Sequence, residues 1–379
     1  MIADPIPIPT DRPGDPPASA QRRRVDRAIA ELRRGDAVMV RPDRGPALMI
    51  HAAELADPDT IAAIAAATGR PPMLIVTGQR AVSLGIWDDP TGVVVIDGGA
   101  GDDPRAILDL ADPARALSTR RSARAIDADL ASGALAACRL LKRARLLPAV
   151  LAAPVDRPVP AEKLAAQADL LSVSASAVDA YDGILTTDLS IVSEARVPLR
   201  GAENARIVAF RPADGGREHL AIVVGDPQEP ALIRLHSECF TGDLLGSLRC
   251  DCGEQLRGAV AELHDQGAGV LLYLSQEGRG IGLVNKLRAY ALQDLDFDTV
   301  DANEMLGYDA DERVYQPAAR MLTLLGLTRV RLMTNNPLKM RDLIRHGIEV
   351  VERVPHVFPS NGHNEFYLRT KRDRSGHLL

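Results

Sequence analysis

The chain has few aromatic residues, few cysteines and no long hydrophobic run. Aromatic residues make up only 3% of its 379 residues, which leaves few platforms on which nucleic-acid bases could stack. The formal net charge of −6 gives no general attraction to nucleic acids or to anionic membranes. No apolar run approaches the roughly 20 residues that span a bilayer. These shortages predict a protein that binds neither nucleic acid nor membrane.

Length and composition predict a two-domain protein of the cytoplasm. A chain of 379 residues is too long for one ordinary core, and its 46% hydrophobic content is normal for globular folds. Residues 1–20 are rich in proline and aspartate and lack the apolar core of a secretory signal, so they predict a disordered tail. In the cytoplasm thiols stay reduced and available to metal. We therefore expect a tail at 1–20, an N-terminal domain at 21–185 and a C-terminal domain at 186–379.

Hydrophobic periodicity predicts an α/β fold in both halves of the chain. In the N-terminal half the predicted helices are 25–34, 58–68 and 134–147, and the predicted strands are 37–40 and 73–76. In the C-terminal half the predicted strands, which later alternate with helices, are 207–210, 220–224, 231–235, 270–274 and 330–333.

Three of the four cysteines, Cys239, Cys250 and Cys252, lie within fourteen residues. Cys250 and Cys252 flank one residue, which is awkward for a mutual disulfide and easy for two metal ligands on a turn. Three thiolates without a fourth suit a tetrahedral zinc that keeps one position open for water, as catalytic zinc sites do. A closed structural zinc site remains an alternative, with His236 as its fourth ligand. Cys138 stands alone in an alanine- and leucine-rich stretch and is expected to fill the core.

A glycine-rich segment, 276–282, follows the predicted strand 270–274 and precedes a helix expected to begin near Leu283. Such a turn can present backbone N–H groups to phosphate, although by itself it is equally typical of a tight loop. Arg279 and the nearby Lys286 add positive charge.

Polar residues also follow the predicted strand 330–333. Residues 334–339 offer a hydroxyl, two amides and an ammonium at a strand end, where α/β folds bind ligands. Residues 309–315 gather acids around Arg313, a pattern that by itself is typical of a solvated cap.

Together these segments resemble GTP cyclohydrolase II, a zinc enzyme that opens the guanine ring at the entry to riboflavin synthesis. The resemblance runs from about residue 190 to residue 379, through segments 234–239, 247–253, 276–283, 285–294, 311–313, 334–337 and 376–379. It implies hydrolysis of GTP to 2,5-diamino-6-(5-phospho-ribosylamino)pyrimidin-4(3H)-one, formate and pyrophosphate. Cys239, Cys250 and Cys252 would hold one Zn²⁺ per subunit, whose acidified water would attack C8 of guanine.

The same resemblance implies roles for further residues. The positions that match the family's GTP contacts are Arg234, Leu235, His236, Ser237, Glu238, Gln255, Glu277, Gly278, Arg279, Thr299, Thr334 and Lys339. Asp311 matches the family's proton acceptor, Arg313 its nucleophile at the α-phosphorus and Tyr290 a catalytic tyrosine. Because a guanidinium with a pKa above about 12 has no free lone pair, charge stabilisation is the alternative role for Arg313. Mg²⁺ would bridge the substrate phosphates, and the family suggests a homodimer.

Two positions depart from the family pattern. Ser275 stands where many relatives carry arginine, and Val314 stands where an acid is common. The first removes a positive charge beside the glycine-rich turn, and the second removes a possible partner of Arg313. Both bear on rate and substrate choice more than on the reaction class.

The N-terminal half resembles 3,4-dihydroxy-2-butanone-4-phosphate synthase more faintly, through segments 28–36, 51–56, 76–80 and 140–150. That family needs an acidic loop for Mg²⁺ and a later catalytic histidine. Here the corresponding segments are 40–46 and 132–136, which contain neither. The sequence thus predicts a degenerate α/β domain that serves packing, dimerisation or regulation.

Two other functions remain open. A paralogue could use the same zinc chemistry on another nucleotide, for example in pyrimidine catabolism. A structural zinc in a nucleic-acid-binding protein is the non-enzymatic alternative, which the acidic charge and scarce aromatic residues disfavour.

Overall fold

The computed structural model describes residues 18–99, 103–155, 165, 169–185, 189–213, 215–356, 362, 372 and 374. Most of the predicted tail therefore lies outside the described residues, although the first helix begins at Ala18, inside its predicted range. The chain forms two compact units. The N-terminal unit comprises Met1–Ile184, Leu287–Phe297 and Asp301–Ala310, and the C-terminal unit comprises Leu185–Lys286, Asp298–Val300 and Asp311–Leu379.

The N-terminal unit is built on a seven-stranded sheet with the order β5-β4-β3-β6-β2-β1-β7. Its strands are β1 Val38–Arg41, β2 Ala47–Ala52, β3 Met73–Thr77, β4 Val93–Ile96, β5 Ala123–Ala125, β6 Ala149–Val155 and β7 Leu171–Ser174. The helices of this part of the chain are α1 Ala18–Arg34, α2 Pro58–Thr68, α3 Gly78–Ser83, α4 Pro104–Ala111, α5 Ala128–Ala144 and α6 Ala175–Leu185. Among the strand pairs that the structure describes in this sheet, β1 and β7 run parallel and the others antiparallel.

Local chemistry explains where two of these helices begin and end. Helix α2 begins after Asp57, whose side chain accepts a hydrogen bond from the Thr60 N–H, and ends at Gly69 with φ 76°, as capping rules require. Helix α5 ends before Arg145, which has the left-handed φ of 59°. It therefore stops three residues earlier than the sequence predicted. Cys138 lies on its buried face, as expected.

The C-terminal unit has a second seven-stranded sheet, with the order β14-β13-β11-β12-β10-β9-β8. Its strands are β8 Leu189–Arg196, β9 Ala205–Pro212, β10 His219–Val224, β11 Ala231–Ser237, β12 Gly269–Leu274, β13 Arg329–Met333 and β14 Glu349–Val354. The helices that follow are α7 Cys252–Asp265, α8 Leu283–Gln293, α9 Thr299–Met305, α10 Gln316–Leu324 and α11 Pro337–Arg345. Helix α8 begins in the C-terminal unit and continues into the N-terminal one.

The central strands of this sheet are parallel and covered on both faces. Strands β14, β13, β11 and β12 are parallel neighbours. Helix α7 packs in the core cluster on one face and helices α10 and α11 in the cluster on the other, so β11 and β12 are buried along almost their whole length. The carboxyl ends of β11, β12 and β13 consequently meet at one edge.

These elements confirm the predicted α/β fold class with two domains. Every strand predicted in the C-terminal half is present, with bounds shifted by a few residues at most. Among the described residues, no helix is both long enough and apolar enough to cross a membrane.

Candidate functional site

The site lies where three parallel strands of the C-terminal unit end. Strand β11 leads into Cys239, β12 into the glycine-rich turn that follows Gln276, and β13 into Thr334. The segment 239–252, called the cysteine loop below, contains all three cysteines of the cluster. Within it, a π-helical turn, Phe240–Leu244, follows Cys239.

The three cysteine sulfurs converge at this edge. Their Sγ atoms all lie within 4.8 Å of one another, and the thiols are free. The Sγ atoms of Cys239 and Cys250 are 3.8 Å apart, too far for a disulfide of about 2.05 Å. Two ligands of a tetrahedral zinc, each about 2.3 Å from the metal, would be about 3.8 Å apart. The cluster therefore fits a metal ion of this kind.

Two glycines, Gly242 and Gly253, lie where a side chain would collide with the cysteine cluster or the backbone beside it. A Cβ on Gly242 would lie 2.8 Å from Cys250 Sγ and 3.1 Å from Cys239 Sγ. A Cβ on Gly253 would lie 2.2 Å from the Gly242 carbonyl oxygen. All three distances are below ordinary van der Waals contact, so this close approach requires glycine at both positions.

The Cys239 thiol lies beside a buried ammonium group. The Lys286 ammonium is buried and donates to Cys239 Sγ at 3.0 Å, to Thr241 Oγ1 at 3.0 Å and to Glu277 Oε1 at 2.9 Å. Hydrogen bonds from the Cys250 and Cys252 thiols, together with the Lys286 charge, lower the pKa of Cys239. Cys239 is thus the thiol most easily held as a thiolate.

His236 does not complete a fourth ligand position. Its Nε2 lies 3.0 Å from Asp243 Oδ1 and 3.2 Å from Asp243 Oδ2, and its ring stacks on Tyr273. Burial lowers the pKa of His236, so the imidazole is neutral near pH 7. The potential metal-ligand group among the described residues contains the three cysteines and no histidine, and the closed site with His236 as fourth ligand is not formed there.

The glycine-rich turn is tied to the cysteine loop through Glu277. Its Oε2 accepts from the Phe240 N–H at 2.6 Å and its Oε1 from the Gly278 N–H at 2.8 Å. Gly278 and Arg279 both have left-handed φ values, 64° and 59°. The Arg279 carbonyl accepts from the Glu312 N–H at 3.0 Å. The Glu277 carboxylate therefore links the glycine-rich turn to the cysteine loop by hydrogen bonds.

Arg234 and Gln255 form a buried polar pair. Arg234 donates to the Met333 carbonyl at 3.1 Å and to Gln255 Oε1, and its Nε has no hydrogen-bond partner. Burial lowers the pKa of Arg234 to about 10, which still leaves it charged at neutral pH. Among the residues that the structure describes, none supplies an acceptor for this buried Nε–H.

Other predicted contact residues line the same strand ends. Lys339 donates to the Leu235 carbonyl at 2.8 Å, and Thr334 Oγ1 accepts from the Asn336 N–H at 3.0 Å. Ser237 Oγ accepts from the Gln276 amide at 2.9 Å.

Ser275 and Arg217 contact the same carboxylate, that of Glu238. Ser275 Oγ donates to Glu238 Oε2 at 3.2 Å, and Arg217 pairs with both oxygens of Glu238 at 3.0 and 2.9 Å. Arg217 thus places a positive charge near the position where many relatives carry arginine instead of Ser275.

Asp311 and Arg313 form an ion pair with several hydrogen bonds. Arg313 donates to both Asp311 oxygens through its side chain and also through its backbone N–H at 3.1 Å. Burial raises the pKa of Asp311, but the charge and hydrogen bonds of Arg313, together with the charge of Arg279, outweigh it and the net pKa is lowered. Val314 is exposed, and Asp311 holds Arg313 without an acid at that position. The guanidinium also lies 5.7 Å from the ring centroid of Tyr315.

The last two predicted residues, Tyr290 and Thr299, lie on two helices that follow each other in the chain. Tyr290 is half-buried on the part of α8 that belongs to the N-terminal unit. Thr299 is half-buried at the start of α9, in the C-terminal unit.

Sequence reasoning missed Asp243, Tyr273 and His356. Tyr273 donates to Asp243 Oδ2 at 2.9 Å. His356 Nε2 donates to the Gln255 carbonyl at 3.1 Å, and burial lowers its pKa to about 4. In the sequence, the one sign of a role for Asp243 was its position between Cys239 and Cys250. The contacts of Tyr273 and His356 join segments far apart in the chain.

Comparisons with known proteins agree with this site. A family model described as GTP cyclohydrolase II matches residues 190–355. A protein named GTP cyclohydrolase-2 from Azospirillum brasilense is 54% identical over 376 residues, which cover 96% of this chain and 96% of that protein. The chain belongs to the GTP cyclohydrolase II family.

Two further similarities concern a shorter part of the chain or a lower identity. A protein of Synechocystis sp. named riboflavin biosynthesis protein RibBA is 54% identical to this GTP cyclohydrolase II family member over 178 residues, 46% of this chain and 32% of that protein. A solved structure of RibBX, a two-domain 3,4-dihydroxy-2-butanone 4-phosphate synthase from A. baumannii, is 16% identical with a TM-score of 0.34, covering 88% of this chain and 99% of that one.

Proposed function

We propose that this protein hydrolyses GTP to 2,5-diamino-6-(5-phospho-ribosylamino)pyrimidin-4(3H)-one, formate and pyrophosphate, the first step of riboflavin biosynthesis. The observation that carries the proposal is the convergence of three free thiols at the carboxyl ends of parallel strands. The names of the relatives, GTP cyclohydrolase-2 and riboflavin biosynthesis protein, support the same substrate and pathway.

Cys239, Cys250 and Cys252 would hold one Zn²⁺ per subunit. When bound, zinc supplies an acidified water that can act as a nucleophile on guanine at neutral pH. The Cys239 thiol is prepared for this role by its lowered pKa and by the Lys286 ammonium at 3.0 Å.

The nucleotide would lie along the strand ends that carry the predicted contact residues. Glu238 and Gln255 have the acceptors and donors that a guanine edge requires, and Lys339 and Arg279 have the charge that phosphates require. Mg²⁺ would bridge the phosphate oxygens during pyrophosphate release. The unpartnered Nε–H of Arg234 is a further donor available to this region.

Arg313 would act by its charge rather than as a nucleophile. The Asp311 carboxylate accepts hydrogen bonds from it, and this pairing stabilises the protonated guanidinium. Because the pKa of Asp311 is lowered, the carboxylate remains ionised and a weak proton acceptor at neutral pH. We therefore assign Asp311 to holding Arg313, and Arg313 to stabilising negative charge at the α-phosphate.

The remaining proposals concern the whole chain. The N-terminal unit would be catalytically inactive, since segments 40–46 and 132–136 lack the acidic loop and the histidine that dihydroxybutanone phosphate synthesis needs. It would serve packing, dimerisation or regulation in a homodimer of the cytoplasm. An assay for dihydroxybutanone phosphate formation would overturn the first of these proposals if product appeared.

The test is incubation of the zinc-loaded protein with GTP and Mg²⁺, following formate and pyrophosphate. We expect stoichiometric release of both from the wild type and none from Cys252→Ser. The matched control is Cys138→Ser, because Cys138 lies outside the cluster and its thiol already faces the Pro148 carbonyl at 3.7 Å. Zinc retention without GTP turnover would reject the assignment, and turnover of another nucleotide in a panel would redirect it.

A further inference from the structure

Asp243 connects the cysteine cluster to His236. It lies on the π-helical turn four residues after Cys239, and its side chain is only 7% exposed. Its carboxylate accepts from three groups on different parts of the site. These are the Cys239 backbone N–H at 3.0 Å, the Tyr273 hydroxyl at 2.9 Å and His236 Nε2 at 3.0 Å.

The two carboxylate oxygens divide these donors. Oδ2 accepts from Cys239 and Tyr273, and Oδ1 makes the shorter contact with His236. Because the Asp243 oxygen accepts this hydrogen bond, Nε2 must donate it, and a neutral His236 ring therefore carries its proton on Nε2. The stacking of His236 on Tyr273, with ring centroids 5.5 Å apart, fixes the plane of the imidazole.

We propose that Asp243 is a positioning residue of the metal centre. It fixes the backbone of Cys239, so that this thiol stays in register with those of Cys250 and Cys252. The Asp243 carboxylate also holds the His236 ring in one tautomer, with Nε2 directed at the carboxylate. The fourth metal position is therefore left without a histidine ligand. The second part rests on the proposed function, in which that position receives water.

Hydrogen-bond partners of metal ligands have measurable effects on metal affinity. Loss of such a partner typically costs about 10- to 100-fold in affinity. Here the partner is bound to the ligand's backbone rather than to its sulfur, so the effect operates through the position of the Sγ atom. A change in thiolate geometry is visible in the absorption of bound Co²⁺, without any nucleotide.

Three variants separate the parts of the network. Asp243→Ala removes both oxygens and is expected to lower Co²⁺ and Zn²⁺ affinity about 10- to 100-fold and to shift the thiolate-to-Co²⁺ absorption bands. Asp243→Asn can keep its oxygen towards Cys239 and Tyr273 and turn its amide towards His236. It should retain metal affinity within about threefold while the ¹⁵N signals of His236 change to the Nδ1-protonated tautomer. Tyr273→Phe removes one donor and should leave the metal affinity and the His236 tautomer unchanged.

Metal affinity would be measured by chelator competition, and the melting temperature of each metal-free variant would be recorded beside it. Wild-type affinity and absorption bands in Asp243→Ala would overturn the proposal, as would a fall in melting temperature without any change in metal binding. An unchanged His236 tautomer in Asp243→Asn would overturn its second part. None of these readings uses GTP, so a wild-type protein that binds metal but does not turn over GTP would reject the proposed function alone.

Discussion

A methyl group added at Gly242 should dismantle the metal site. In Gly242→Ala the new Cβ would lie 2.8 Å from Cys250 Sγ, 2.9 Å from Cys252 Cβ and 3.1 Å from Cys239 Sγ. Ordinary contacts between such atoms are about 3.5–4.0 Å, so each neighbour must move by about 0.5–1 Å. Metal–ligand distances tolerate only about 0.2 Å, and the three sulfurs cannot all meet that limit.

Two measurements give the size of the effect. Overpacking of this kind costs about 1–3 kcal/mol, to be read from urea unfolding of the metal-free protein. Zinc content after dialysis against a chelator should fall from one per chain towards zero, and GTP turnover should fall with it.

Gly246→Ala is the matched control, since it adds the same methyl group to the same loop. Nothing lies within 4 Å of a Cβ at Gly246, although its φ of 67° makes alanine unfavourable there by about 1–2 kcal/mol. This variant should lose stability and keep its zinc. A Gly242→Ala protein that retained one zinc with wild-type affinity would refute the reasoning.

Three further predictions follow from buried ionisable groups in the C-terminal unit. Asp311→Asn should loosen Arg313 and lower kcat about 100-fold, with zinc content unchanged. Lys286→Met leaves Glu277 buried without its cation and should cost about 3–5 kcal/mol in urea unfolding, part of which Glu277→Gln should restore. The pKa of His356 is lowered from 6.5 to about 4, so between those pH values only the unfolded chain binds its proton. Stability should therefore fall by about 3 kcal/mol as pH drops from 6.5 to 4, and His356→Gln should flatten that slope.

Each of these predictions has an opposing outcome. Full turnover in Asp311→Asn would show that Arg313 needs no carboxylate to hold it. A Lys286→Met protein as stable as the wild type would mean that water reaches Glu277. An unchanged pH slope in His356→Gln would assign the acid sensitivity to another group.

The sequence predicted the strands of the fold more successfully than it predicted which side chains form hydrogen bonds with one another. Strands β11, β12 and β13 were recognisable because each contains a short run rich in aliphatic residues, and the cysteine spacing indicated a metal site directly. The hydrogen bonds from His236 and Tyr273 to Asp243 could not be read in the same way, because no periodic pattern encodes which side chains meet across strands. For the same reason, the segments 287–297 and 301–310 gave no sign that they group with the N-terminal unit.

Arg279 is a residue at which selection for stability and selection for chemistry would choose differently. Its left-handed φ of 59° is a conformation in which glycine or asparagine is more comfortable. A library screened for thermal stability alone should therefore enrich Arg279→Gly. The same library screened for growth that depends on the enzyme should restore arginine, since its guanidinium keeps a permanent positive charge in the turn.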